Sequence, residues 1–229
     1  MKTFLAYSLQ RLGVDHIDVY RPARLDPQVP IEETVGAIAE MVKVGHVRRI
    51  GLSEVGSATL KRAAAIHPIA DLQIAYSLIS RGIEDNILAT CRSLGIGITA
   101  YGVLSRGLIG GNWRRDSATA TDFRRHSPRF QSENVDRNLV LVEELRKVAE
   151  RKGATVAIAW VMAQGKDIVP VVGARKRDQL TEALGAADVV LTAADLVEIE
   201  KVVPKGAAAG ERYNAQGMTT LDSERPSAG

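Results

Sequence analysis

The chain has 229 residues, 45% hydrophobic and 25% charged, an ordinary globular composition at a length that a single α/β domain commonly reaches. A net charge of +3 with 4% aromatic residues is too weak and too spread for a nucleic-acid surface. No apolar run reaches the length of a membrane span, and the N-terminal MKTFLAYSLQRLG lacks the apolar core of an export signal.

Phe4, Leu5, Leu9 and Leu12 repeat with helical period up to Gly13. Residues 16–20 (HIDVY) alternate and are β-rich, predicting a strand; residues 21–30 carry three prolines and must be a loop. Pro30 and the acids after it open a helix through Val35, Ile38, Met41 and Val42 to a stop at Gly45. Residues 47–52 (VRRIGL) predict a second strand, followed by Ser53. Ser57 is placed to cap a helix that Pro68 ends. Residues 71–79 predict a third strand, 83–94 a helix closing at Gly95, and 96–101 a fourth strand leading into Gly102-Val-Leu-Ser-Arg-Gly. Cys91, the single cysteine, precludes an internal disulfide and fits a reducing cytoplasm; on its helix it reads as a small core residue rather than a nucleophile.

Residues 110–132 show no period and read as a long loop or insertion. A long helix over 133–152 follows, with Leu139, Val142, Leu145 and Val148 on one side, then a shorter helical pattern over 155–162 after Gly153. The β-branched run around 168–172 predicts a fifth strand buried on both faces. It breaks at Gly173 and passes through Arg175, Lys176 and Arg177 into a helix with Leu180 and Leu184 one turn apart. A buried strand that turns on glycine into a cation-rich helix start suits an anion, because first-turn N–H groups and the helix dipole both favour negative charge; the plain alternative is a solvated surface helix. Thr192 and Asp195 form a capping pair for a last helix through Leu196, Ile199 and Val203. Residues 1–203 therefore read as one domain and 204–229 as a surface tail rich in Gly, Ala and polar residues.

Strands and helices alternate about five times, which argues for a parallel sheet with right-handed crossovers. No G-x-G-x-x-G follows any strand, which counts against a dinucleotide fold of Rossmann type. The long connection after the fourth strand and the polar residues at strand ends suit a (β/α)8 TIM barrel better.

At this point particular stretches matter more than patterns. SLQRLGVDHIDVY, GHVRRIGLSE, DLQIAYSLISRGIE, ITAYGVLSRGLIGG and VPVVGARKRDQLTEALGA, in that order, resemble the C-terminal two-thirds of an aldo/keto reductase. The resemblance implies an α/β barrel of that type, here incomplete with about five βα units, that binds NADP(H) at its C-terminal rim. It implies that Ser53 and Gln73 hydrogen-bond the nicotinamide carboxamide and that Tyr101 stacks on the ring. It also implies that Leu104, Ser105, Arg106 and Gly107 line the pyrophosphate. Gly173, Ala174 and Arg175 would hold the 2′-phosphate, with Gln179 and Glu182 toward the adenine. An amide with donors and an acceptor can fix a carboxamide, and the guanidinium fork suits a dianionic phosphate. Read singly, Gln73 is equally a satisfied core amide and Tyr101 barrel packing.

Two positions depart from the family. Glu54 stands where Asn often follows the Ser, and Ala183 where Asn often follows the adenine-side Glu. The family's catalytic Asp, Tyr and Lys lie on the first three βα units, which find no match here, and its His falls on Ala23, or on Pro22 with a one-residue shift. Tyr20 and Tyr76 do not match the catalytic Tyr. The resemblance thus implies an oxidoreductase that reduces a small-molecule carbonyl, with this chain a portion of it that begins at an internal Met1 and is inactive alone. A non-catalytic NADP(H)-binding or interaction module is the alternative. No metal site, nucleic-acid partner or membrane partner is expected, and the oligomeric state is not assigned.

Overall fold

The computed structural model describes residues 2–110, 122–152 and 156–225. Met1, residues 111–121 of the expected long loop, Gly153, Thr155 and the end of the tail lie outside the described residues. Two units are distinguished. The first comprises Met1–Ile74, Ile83–Thr99 and Thr220–Gly229, and the second Ala75–Gly82 and Ala100–Thr219.

In the first unit, α1 (Lys2–Leu12) leads into β1 (Ile17–Tyr20). Then come α2 (Ile31–Lys43), β2 (Val47–Ser53), α3 (Ser57–Ile66), β3 (Ile69–Ala75), α4 (Ile87–Ser93) and the start of β4 (Gly97–Tyr101). The strands neighbour one another in chain order, with parallel registers Val19↔Arg49 and Ser53↔Gln73. Successive side chains alternate faces. Ile50, Leu52, Leu72 and Ile98 are buried on the side covered by helices, with Val35 and Ile38 of α2, Leu60 and Ala63 of α3, and Ile87 and Cys91 of α4. Burying such a side chain contributes roughly 1.5–3 kcal/mol, so this layer fixes the strands.

The opposite face of the strands carries an ion pair. Arg21 makes a two-pronged pair with Asp71, Nε to Oδ1 at 2.9 Å and Nη2 to Oδ2 at 2.5 Å, and Thr99 donates to the same carboxylate at 2.6 Å. Gly51 lies beneath. A Cβ there would come within 2.7 Å of Arg21 Cγ and 2.9 Å of Arg21 Nε, and would also strike Asp71 Oδ1. Glycine is thus required for the ion pair to cross the strand.

In the second unit the end of β4 neighbours β5 (Ile168–Pro170), and Val171 N–H donates to Ala100 O at 2.7 Å. Helices α5 (Ser132–Lys152), α6 (Val156–Ala163), α7 (Arg177–Gly185), α8 (Ala193–Val202) and α9 (Ala215–Thr219) complete it. Val156 to Val161 of α6 are all buried, so that helix is apolar on every side. Trp160 sits 5.4 Å from the Tyr76 ring and 5.1 Å beneath the Arg81 guanidinium, which pairs with Glu200. Asn138 of α5, 1% exposed, donates to Arg129 O and Ala209 O at 3.1 and 2.9 Å and accepts from Ala209 N–H at 2.8 Å.

Several expectations are corrected. The fifth strand is short and buried on one face only: Val169 and Val171 are 62% and 46% exposed, because among the described residues β4 alone pairs with it. The helix expected through Leu180 and Leu184 is present as α7, with both leucines exposed. The third strand ends at Ala75, where Ser77 and Ser80 pair with each other in a turn. The stretch from Ile83 divides into a 3-10 turn, Gly82–Glu84, and α4. Within the expected long loop, Phe123–His126 and Pro128–Phe130 form 3-10 turns. Ser57 is the first helical residue of α3, not its cap. Gly56 occupies the cap, and the carboxylate of Asp222 accepts from Gly56 N–H at 2.9 Å and from Thr59 Oγ1 at 2.7 Å. Within the tail, Leu221 is 1% exposed, and the other described residues from Pro204 to Arg225 are exposed or half-buried. The Thr192–Asp195 capping box is present as expected, with reciprocal bonds of 3.2 and 2.8 Å.

Candidate functional site

Ser53 closes β2, is 5% exposed, and faces Gln73 of β3 directly across the register. Paired residues on neighbouring strands project to the same face, so a hydroxyl and a carboxamide stand side by side at the carboxyl ends of two parallel strands. Rims of this kind hold ligands in α/β folds. Glu54, the next residue, takes φ +53°, donates its N–H to Gln73 O at 3.0 Å, and is 1% exposed. Ser53 also borders a cleft with Pro22, Leu25, Val29 and Val55. Pro22 has no hydrogen-bonding side chain, nor has Ala23, whose carbonyl accepts from Arg24 Nη1 at 2.7 Å. Tyr20 is half-buried, and burial pushes its phenol above the usual value. Tyr76 is fully buried in the core.

The second unit holds the residues expected at the ring and pyrophosphate. Tyr101 ends β4. The chain then turns through three successive left-handed residues, Ser105 (φ +47°), Arg106 (+59°) and Gly107 (+89°). Side chains rarely accept that conformation, which costs roughly 1–2 kcal/mol for each non-glycine residue. Bonds from Ser105 N–H to Gly102 O (2.8 Å), Gly107 N–H to Leu104 O (2.9 Å) and Ile109 N–H to Leu104 O (3.3 Å) hold it. The Arg106 guanidinium lies 4.6 Å from the Phe123 ring and 5.0 Å from the Tyr213 ring, and Tyr213 reaches Tyr101 hydroxyl to hydroxyl at 3.2 Å.

Tyr101, Ser105 and Arg106 line one cleft with Arg129, Arg212 and Tyr213, and among the described residues no carboxylate lines it. Arginine side chains and hydroxyls that converge on one cleft suit an anionic ligand such as a pyrophosphate. Beside the cleft, Asp122 pairs with Arg124 at 2.9 Å (Nε to Oδ1), and Arg124 Nη1 donates to Arg106 O at 3.3 Å. The side chain and then the backbone N–H of Arg124 hold the Asp122 carboxyl at about 2, below its usual 3.8.

Gly173, Ala174, Arg175, Gln179 and Glu182 share one exposed loop and helix start. Gln179 Oε1 accepts from the N–H groups of Arg175 (2.9 Å) and Lys176 (3.2 Å). Both donors precede the first turn of α7, which begins at Arg177. A phosphate here would fall to the exposed side chains of Arg175, Lys176 and Arg177, while the Gln179 NH2 group can still face an adenine.

Phe123, Arg129, Arg212, Tyr213, Asp222 and Ser223 were not read from the sequence as bearing on the site. For Tyr213 the available signal was an aromatic beside an arginine in an otherwise small-residue tail. Among the described residues no group of three His, Cys, Asp or Glu side chains could hold a metal ion, and no helix is long and apolar enough to cross a membrane.

Residues 1–204 match the model of the Aldo/keto reductase family. A probable aldo-keto reductase of Glycine max is 45% identical over 208 residues, 90% of this chain and 60% of that protein. An aldo-keto reductase of Strobilurus tenacellus is 42% identical over 230 residues, 97% of this chain and 68% of its own length. Among solved structures, a glycerol dehydrogenase of Gluconobacter oxydans superposes with a TM-score of 0.82 at 29% identity, over 88% of this chain and 62% of that one. A thermostable aldo-keto reductase in complex with the inhibitor epalrestat gives 0.69 at 27% identity, over 86% and 64%. The chain therefore spans 60% of the length of its Glycine max relative.

Proposed function

Since this chain belongs to the aldo/keto reductase family, we propose that it carries the NADP(H)-binding portion of a reductase that converts a carbonyl to an alcohol by hydride transfer. The observation that carries this reading is the Ser53–Gln73 pair, a hydroxyl and an amide in register at the ends of β2 and β3. Such a pair can donate to the oxygen of a carboxamide and accept from its nitrogen.

In this reading Ser53 and Gln73 hold the nicotinamide carboxamide, and Tyr101 lies against the ring. Leu104, Ser105, Arg106 and Gly107 meet the pyrophosphate, supported by the arginines and hydroxyls that line the cleft around Ser105 and Arg106. Gly173, Ala174 and Arg175 receive the 2′-phosphate, and Gln179 and Glu182 the adenine. When bound, the cofactor supplies the hydride. The carbonyl oxygen then needs a proton, and Pro22 and Ala23, where the family's His would stand, have no side-chain donor for it. The reading therefore includes the expectation that these 229 residues alone do not turn over an aldehyde. The single buried Cys91 supports a reducing, cytoplasmic setting.

The test is calorimetric titration of NADPH and NADH into the wild-type chain and Arg175→Ala. Loss of a charge-assisted contact should weaken NADPH by about ten- to a hundredfold and leave NADH nearly unchanged. An equal loss for both removes the phosphate role; no binding of either by the wild-type chain removes the cofactor reading.

A further inference from the structure

Glu54 sits in a conformation its side chain does not favour. It is a non-glycine residue at φ +53°, immediately after Ser53, with its side chain almost wholly buried. Such an arrangement persists only where the surroundings over-determine it. The restraint here comes from residues 221–223. Ser223 N–H donates to Glu54 O at 3.1 Å, and Ser223 Oγ donates to Glu54 Oε2 at 2.8 Å. On the other side of the same turn, the Asp222 carboxylate accepts from Gly56 N–H at 2.9 Å and Thr59 Oγ1 at 2.7 Å. A Cβ on Gly56 would stand 3.1 Å from Asp222 O, so the two segments are in close contact. Leu221, 1% exposed, anchors the approach.

We propose that Ser223 and Asp222 are positioning residues for the nicotinamide-amide site: residues 221–223 form a clip that sets the backbone after β2 and so aims the Ser53 hydroxyl alongside Gln73. The proposal rests on the reading that Ser53 and Gln73 hold a carboxamide. The mechanical link is short. Glu54 N–H is bonded to Gln73 O, so Glu54 is held by Gln73 through the N–H that joins it to Ser53 and by Ser223 through its carbonyl and its carboxylate. Removing the Ser223 hydroxyl deletes one bond to the Glu54 carboxylate, and the left-handed turn loses a restraint one residue from Ser53.

The test compares two ligands, NADPH and adenosine 2′,5′-bisphosphate, which carries the adenosine and 2′-phosphate but no nicotinamide. Dissociation constants are measured by calorimetry on the full chain for wild type, Ser223→Ala and Ser223→Thr, with a thermal melt of each. Ser223→Ala is expected to weaken NADPH by about tenfold while the bisphosphate stays within about twofold, and Ser223→Thr, which keeps the hydroxyl, to restore NADPH binding. A parallel loss of both ligands, or a lowered melt with no ligand selectivity, means a merely structural clip and overturns the proposal. So does unchanged NADPH binding in Ser223→Ala. Failure of the underlying reading shows differently: wild-type chain that binds the bisphosphate as tightly as NADPH has no nicotinamide-amide site, and wild-type chain that binds neither has no cofactor site; either result removes the clip's role as well.

Discussion

Asn138 offers the sharpest test of how the second unit is held together. Its amide, 1% exposed, makes three bonds: to Arg129 O, to Ala209 O, and from Ala209 N–H. It thereby ties α5 to the turn before it and to the segment that leads into Arg212 and Tyr213. Asn138→Ala deletes all three. Each net hydrogen bond is worth about 1 kcal/mol, and a partner left unsatisfied in a buried setting costs about 1–3. Ala209 is only half-buried, so water recovers part of that cost, and the expected loss is about 2–3 kcal/mol. For a chain of this size that corresponds to a drop in Tm of roughly 4–10 °C.

Urea unfolding followed by circular dichroism gives the loss, and limited proteolysis locates it. If residues 204–213 detach locally, cleavage there should rise before the global transition shifts fully. Asn138→Asp separates geometry from charge. The carboxylate still accepts from Ala209 N–H but turns its second oxygen toward two carbonyls, so the folded state favours the protonated acid and its folded pKa is raised. The variant should be least impaired below about pH 4 and lose stability as pH rises through that raised value. A loss under about 0.5 kcal/mol in Asn138→Ala, or an Asp variant with no pH dependence, would refute the reasoning.

Gly51→Ala would set a methyl into the Arg21–Asp71 pair and should destabilise by about 2–4 kcal/mol in a thermal melt. The loss should be smaller when Gly51→Ala is made on an Asp71→Ala background. Asp122, held at about 2 by Arg124, contributes stability that is present above its unfolded value near 4 and lost as pH falls through about 2. The difference in acid unfolding between wild type and Asp122→Asn should therefore close across that window, and a difference constant down to pH 2 would contradict it. The Arg175→Ala and Ser223→Ala titrations above complete the set.

How much of this was legible in the sequence depended on the range of the interaction. β1, β2 and β4 were readable because alternation and helix-ending glycines act within a few residues. The Thr192–Asp195 box was readable for the same reason, since both partners lie within one turn. The β-branched run at 168–172 misled because such residues report β-propensity, whereas burial on both faces depends on what covers the strand; Val169 is exposed. Ser53 and Gln73 were named through resemblance, and their adjacency follows from a register that includes a shift between Ile50 and Gly51. Such an irregularity leaves no local pattern. The Asp222 bond to Gly56 N–H spans 166 residues, and nothing in residues 204–229 marks one aspartate as a helix cap.

Glu54 shows how a departure can be visible while its meaning is not. The family often places Asn after the Ser, and Asn enters the left-handed region more readily than most residues because its short side chain can bond locally. Glutamate lacks that ease, yet the backbone here keeps φ +53°. The cost must be met from outside the turn, and the bonds from Ser223 meet it at both the carbonyl and the carboxylate of Glu54. Substitution and tail contact thus explain each other. A longer acid reaches a partner that Asn could not, and the same contact holds a conformation that Asn would adopt with less help. On this account Glu54→Asn should tolerate loss of the Ser223 hydroxyl better than the native residue does.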